Sequence, residues 1–191
     1  MSRPLDPAPS DHGRLEHVRY AVMKVDELIA HCADRELELS AAQVRAAFAR
    51  GDLCVGALDG ETLVGYEWFA FGPTPHVKGV WVEFDFGARY GYKQFVRPAY
   101  RGRRIAAGLS SHGDYWCMRR GCNRTVAFIQ LENFASWRAS ARLGSRTVGY
   151  AGYLELFGVV LPFRTRGARD LGFRFYKLTL APIATSAAAP S

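Results

Sequence analysis

The feature that most constrains this chain is an extended run that passes through a basic turn into a helix. Tyr90–Val96 suits a strand, and Pro98 stops it, because proline cannot donate to a ladder. Arg101-Gly102-Arg103-Arg104 makes the turn, and a helix is expected over 103–120. Within it Ile105, Leu109, His112 and Trp116 fall at i, i+4, i+7 and i+11, forming one apolar stripe, and Gly121 supplies a left-handed stop. The first amides of a helix lack partners inside it and sit at its positive dipole end. A loop of small residues there lets phosphate oxygens approach the backbone, and Arg101, Arg103 and Arg104 add attraction and bidentate contacts. An ordinary basic helix start is the other reading of these residues taken alone.

The charge distribution favours an anionic ligand. Residues 1–96 carry 10 Lys and Arg against 14 Asp and Glu, whereas residues 97–146 carry 10 Arg against only Asp114 and Glu132. The second block, at +8, exceeds the net +7 of the whole chain. Such concentration points to a polyanion: nucleic acid, an anionic membrane or a phosphorylated small molecule. The arginines are interleaved with small helix-start residues rather than exposed aromatics, which argues against nucleic acid.

The remaining segments build a frame around this unit. A strand is expected over 14–22, with Val18, Tyr20 and Val22 on one face, and two short helices over 26–50, the second capped by Ser40 and stopped by Gly51. Asp59-Gly60 between apolar runs at 52–58 and 62–71 is a hairpin signal. Val80–Phe86 alternates as a strand; 125–131 reads as a short buried strand, 133–143 as a helix ended by Gly144, and 147–157 and 171–180 as strands joined by an irregular arm around Pro162 and Gly167. Residues 1–13 and 182–191 are expected to be tails around a single domain over 14–181, an α/β or α+β sandwich of mostly β framework flanked by helices. With 191 residues and 25 aromatics (12 Phe, 9 Tyr, 4 Trp), the chain can bury a core without a metal or disulfide staple. No apolar run reaches a membrane span and the N-terminus has no secretory signature, so a soluble cytoplasmic protein is expected. Cys32, Cys54, Cys117 and Cys122 read as reduced structural thiols, with no metal site among them.

The segment Phe95-Val-Arg-Pro-Ala-Tyr-Arg-Gly-Arg-Arg-Ile-Ala-Ala-Gly-Leu109 resembles the acyl-CoA-binding motif of the GNAT superfamily of N-acyltransferases. That motif runs strand, Val-x-Pro-x-Tyr/Phe-Arg-Gly, then Arg/Gln-x-x-Gly-x-Gly/Ala. The strand at 125–131 followed by Asn133-x-x-Ser136 and Leu143-Gly144 is similar to the next motif of the family. The resemblance extends over residues 14–180 in element order and over Tyr92–Ser145 in motif detail. It implies a mixed, mostly antiparallel twisted sheet flanked by helices, with acetyl-CoA or another acyl-CoA as co-substrate and no metal. Arg101, Gly102, Arg103, Arg104, Ile105 and Ala106 would hold the diphosphate, Phe95 and Val96 would make main-chain contacts to the thioester arm, and Asn133 and Ser136 would face the pantetheine or adenine. Two departures stand out. Arg104 replaces the central Gly of the phosphate turn, which is tolerable with helical angles and costly if φ must be positive. Ser140 falls where many members carry a tyrosine that protonates the leaving thiolate.

The implied reaction is direct attack of an uncharged amine on the thioester in a ternary complex, with the protein orienting the partners and managing protons. The expected strand at 90–96 lacks a carboxylate, so Glu83 ranks first as base, ahead of Asp85 and Glu67, and Ser140 is the candidate acid, acting through water. Tyr150, Tyr153 and Tyr176 are alternatives for the missing phenol. His112, Trp116 and Trp137 read as packing residues. The acceptor is a small-molecule or protein amine. An acyl-carrier protein docked through Arg164, Arg166 and Arg169, and a homodimer, are further expectations. A catalytically silent acyl-CoA-binding domain is the alternative function.

Overall fold

The computed structural model describes residues 1–6, 17–77 and 79–177. The expected tail residues 7–13 and 182–191, and the last three residues of the expected strand 171–180, lie outside them. Six strands form the main sheet. In spatial order they are β1 (Ser2–Pro4), β8 (Arg124–Val126), β7 (Ala88–Val96), β4 (Thr62–Ala70), β3 (Leu53–Asp59) and β2 (Val18–Val22). Only β7 and β8 pair in parallel, as a strand, a crossover helix and the next strand require. The rest of the sheet is antiparallel.

One face of the sheet carries α3 (Ile105–Met118), which packs on Val55, Ala57, Val64 and Phe69. The opposite face carries α1 (Val25–His31) and α2 (Ala41–Ala49), closing over Cys54, Leu63, Tyr66 and Trp68. Each fully buried Leu, Val or Phe of these layers contributes about 1.5–3 kcal/mol. Ser40 caps α2 by accepting from the Gln43 amide at 3.2 Å, and Gly51 ends it at φ 83°. A third layer holds β5 (Thr74–Pro75), β6 (Val80–Glu83) and β11 (Arg174–Lys177). The hairpin β9 (Ala151–Leu156) and β10 (Val159–Arg164) packs on this layer, after α4 (Phe134–Arg142) and before the short α5 (Arg166–Arg169).

Several expectations need correction. Residues 1–6 are not tail: Ser2–Pro4 pairs with β8, and the Met1 ammonium donates to the Ala127 carbonyl at 2.8 Å. The stripe expected on α3 holds at Ile105 and Leu109, which are buried, but not at Trp116, which is exposed while Gly108, Gly113 and Cys117 are buried. Small residues define the buried face because a Cβ at Gly108 would overlap the Tyr20 ring, and one at Gly113 the Phe69 ring. The strand expected over 125–131 ends at Val126, where β7 stops pairing with it. The irregular arm around Pro162 and Gly167 is in fact β10 followed by α5. Pro162 fits because the hairpin has only two strands, so a missing donor can face outward.

Candidate active site at the open half of one strand

Strand β7 has two unlike halves. Ala88, Arg89 and Tyr90 pair with β8 on one side, and Tyr90 also pairs with β4 on the other. From Gly91 to Val96 the strand pairs with β4 alone. The register steps from Phe69↔Gly91 to Trp68↔Lys93, leaving Tyr92 as a bulge where the two halves meet. The Arg97 amide donates to the Val64 carbonyl on β4 at 2.9 Å. Alternation along the strand therefore turns the main-chain groups of Gln94 and Val96 toward the open side. Phe95 points its backbone at β4 and stacks its ring on Tyr66 at 5.6 Å. Of the two expected main-chain contacts, Val96 lies on the open edge and Phe95 does not.

The open edge leads into the basic turn. Arg101 donates from Nε to the Val96 carbonyl at 3.1 Å, and Arg103 lies over the Tyr100 ring at 5.5 Å. Gly102 adopts φ 79°, with nothing within 4 Å of where a Cβ would stand. Arg104 adopts φ 61° and ψ 13°, so this position does demand left-handed backbone, and the arginine bears the strain. The helix then opens with the amides of Ile105, Ala106 and Ala107, which have no carbonyl behind them inside α3. Gly65 makes the junction close: a Cβ there would stand 2.9 Å from the Phe95 carbonyl and 3.4 Å from Ile105 Cγ2.

Beneath the open half lies a buried carboxylate. Glu67 on β4 accepts from Ser110 Oγ and from Gln94 Nε2, both at 2.7 Å, and Gln94 also donates to the Ala106 carbonyl at 3.2 Å. Burial raises the Glu67 pKa above the usual glutamate range, and Arg89 and the two hydrogen bonds partly oppose that rise. Deeper still, Asp114 on α3 is paired with both Arg89 and Arg3, the latter at 2.6 Å. Arg89 Nε and Nη1 have no hydrogen-bond partner among the described residues, and its guanidinium lies 4.2 Å above the Phe69 ring. The sequence signal for Glu67 was a single carboxylate inside the apolar run Leu63–Ala70, whose other members are all buried.

The other expected site residues lie on separate elements. Glu83 is at the end of β6, bound to Arg174 at 2.5 Å in the third layer rather than at the open edge. Asn133 is the N-cap of α4, its Oδ1 accepting from the Ser136 amide at 3.1 Å, and Ser140 follows on the same helix. Trp137 donates from Nε1 to the Gln130 carbonyl at 3.2 Å. His112 stacks on Tyr20 at 4.6 Å, its Nδ1 3.0 Å from the Gly108 carbonyl. Burial pushes the Cys117 thiol up to about 12 and raises Cys54 and Cys122, so these thiols are poor nucleophiles. Among the described residues no cluster of His, Cys, Asp or Glu could hold a metal ion, and no helix is long and apolar enough to cross a membrane.

The exposed arginines 101, 103 and 104, the open space over Gly102 and the unpaired helix amides fit a coenzyme diphosphate, and the open edge of β7 fits an extended amide-bearing arm laid beside it. The comparisons with known proteins agree. Residues 22–145 match the model of the acetyltransferase (GNAT) family. No curated protein matches the chain significantly. Similar solved structures include the aminoglycoside 6'-N-acetyltransferase AAC(6')-Ih from Acinetobacter baumannii, with 18% identity, 73% of this chain and 97% of that chain covered, and a TM-score of 0.56. The aminoglycoside N-acetyltransferase AAC(6')-Iy in complex with CoA gives 20%, 68%, 91% and 0.53. A ribosomal-protein-alanine N-acetyltransferase from Brucella melitensis biovar Abortus 2308 gives 18%, 73%, 99% and 0.53. At such identities the likeness concerns the fold, while the family model spans most of the chain. The chain belongs to the acetyltransferase (GNAT) family of acyl-CoA-dependent N-acyltransferases.

Proposed function

We propose that this protein moves an acetyl or longer acyl group from CoA to a primary amine by direct attack in a ternary complex. The observation that carries the reading is the half-paired strand β7, whose open edge ends in a left-handed basic turn and a helix start. Bound acyl-CoA supplies the activated thioester carbonyl. The amides of Ile105 and Ala106, with Arg101, Gly102, Arg103 and Arg104, hold its diphosphate. The Val96 amide orients the acyl arm and donates to the oxygen on which negative charge develops. Asn133 and Ser136, at the start of α4, contact the pantetheine or adenine side.

For the proton on the amine, the geometry favours Glu67 over Glu83. Glu67 lies against the bulge, its Oε1 3.3 Å from where a Gly91 Cβ would stand, and its raised pKa suits a base working near neutrality. Glu83 is neutralised by Arg174. Glu67 takes the proton shed as nitrogen bonds to the acyl carbon and the C–S bond breaks. Ser140, through water, is the donor to the departing sulfur. Aminoglycosides and the ribosomal-protein alanine, named by the similar structures, are the first acceptors to try. Exposed Arg166 and Arg169 keep an acyl-carrier protein as a candidate donor, whereas Arg164 is spent on the Phe173 carbonyl at 3.0 Å.

The test is calorimetry with acetyl-CoA together with turnover on an amine panel. Binding that falls about 10–100-fold in an Arg103→Ala, Arg104→Ala double variant, from the loss of one or two charge-assisted hydrogen bonds, supports the reading. No heat for any CoA thioester, with the fold intact, ends it. Tight binding without turnover on any amine supports the silent acyl-CoA-binding alternative instead.

A further inference from the structure

The β9–β10 hairpin has one face packed and one face bare. Ala151, Tyr153 and Val160 pack against the third layer. The register pairs Leu156 with Val159, Leu154 with Leu161 and Gly152 with Phe163, so these side chains share the other face. Leu154, Leu156, Val159, Leu161 and Phe163 are each at least half exposed, and Phe157 at the tip is fully exposed. Taking about 200 Å² for a large apolar side chain, these six residues show roughly 750 Å² to water. That exceeds the 300–600 Å² patch of a typical monomer and is close to the about 800 Å² per partner of a standard interface.

Two further observations say what covers this face. Phe157 adopts φ 50° beside Gly158 at φ 79°, in a two-residue turn that ordinarily takes Asn or Gly. A phenylalanine there is strained as well as exposed, and nothing among the described residues repays either cost. Beside the hairpin base an apolar cavity of about 300 Å³ opens, lined by Phe163 of the bare face, by Ala151 and Phe173 of the packed side, and by Val148, Tyr150 and Trp137. Helix α4, which contributes Trp137, has no buried residue of its own. One chain thus carries a knob at the hairpin tip and a hole at the hairpin base. Six-residue strands are about 20 Å long at roughly 3.3 Å per residue. Two hairpins stacked face to face and antiparallel therefore bring each tip over the other base.

We infer that the protein is a two-fold dimer in which Phe157 of each copy seats in the apolar cavity beside α4 of the other. The contact is isologous, because the same patch serves on both copies and the symmetry closes it. It also adds packing to α4, none of whose residues is fully buried among the described residues. The inference does not depend on the catalytic reading, since it is read from mass rather than turnover.

The experiment is sedimentation velocity with light scattering on the full chain, over a concentration range extending well above micromolar. The expected result is a particle of twice the 21.2 kDa chain mass. Phe157→Asp and, separately, Leu161→Asp should each shift it to monomer with an unchanged circular-dichroism melt. Phe86→Asp, at an equally exposed phenylalanine outside the hairpin, should leave the dimer intact. Hydrogen exchange on the unaltered chain should show residues 152–163 losing protection on dilution. A monomer throughout, or a dimer that survives both hairpin substitutions, overturns the proposal. So does a monomer that dimerises only when residues 178–191 are deleted, which would assign the face to the chain's own C-terminal segment.

Discussion

The two halves of β7 differ in almost every respect although they are one strand. The first half is paired with β8 and buried, and Arg89 there shares Asp114 with Arg3. The second half has one neighbour, a bulge at its start and a basic turn at its end. Rigidity in the first half holds the open edge of the second in place, so that a ligand can complete the sheet without the sheet rearranging. A binding edge of this kind depends on a well-paired stretch next to it.

Four expected outcomes break or sharpen that contrast. The largest effect belongs to the paired half: Asp114→Ala should cost about 3–5 kcal/mol, because it leaves two buried guanidinium groups without their carboxylate. Denaturant unfolding checks it, and replacing Arg89 by Met in the same chain should recover part of the loss. In the open half, Glu67→Gln should lower kcat by about 10²–10⁴-fold, the usual worth of a positioned base, with little change in KM for acyl-CoA. The acid limb of the rate profile should vanish with it, a change that a purely structural role would not cause.

Stability against pH separates the halves again. Glu67 has a raised pKa, so between the ordinary value of 4.5 and its higher native one the folded chain holds a proton that the unfolded chain has released. Its contribution therefore falls as pH rises through that window and is level above it. Glu67→Gln should flatten this slope, measured by thermal unfolding at a series of pH values. The smallest effect is at the turn. Arg104→Gly relieves a left-handed arginine but loosens the unfolded chain, and the opposing terms of about 1 kcal/mol each should leave stability within about 0.5 kcal/mol of the parent. Weaker acyl-CoA binding at low salt should be the measurable change.

Local patterns carried much of the site. Pro98, the arginine-glycine turn and the helix after it were readable because each obeys a backbone rule within a few residues. Ser40 as a cap and Gly51, Gly121 and Gly144 as stops were readable for the same reason. The buried face of α3 was readable only in part, at Ile105 and Leu109. A period of 3.6 locates a stripe, yet which stripe faces inward depended on Tyr20 and Phe69 arriving from distant strands, and Gly108 and Gly113 rather than Trp116 make room for them. Glu83 read as a candidate base by its place before β7, and only the pairing of β6 with β11 set Arg174 against it.

What the sequence determined by itself was the family, the order of elements and the place of the basic turn, since these rest on short-range backbone preferences and on motif spacing. The tertiary structure decided where β7 loses its second neighbour, which carboxylate lies beneath that opening, and that Met1 to Asp6 belongs to the folded domain. Each of these is set by contacts between residues far apart in the chain. Pairing, burial and desolvation exist only after those residues meet, so no local pattern encodes them.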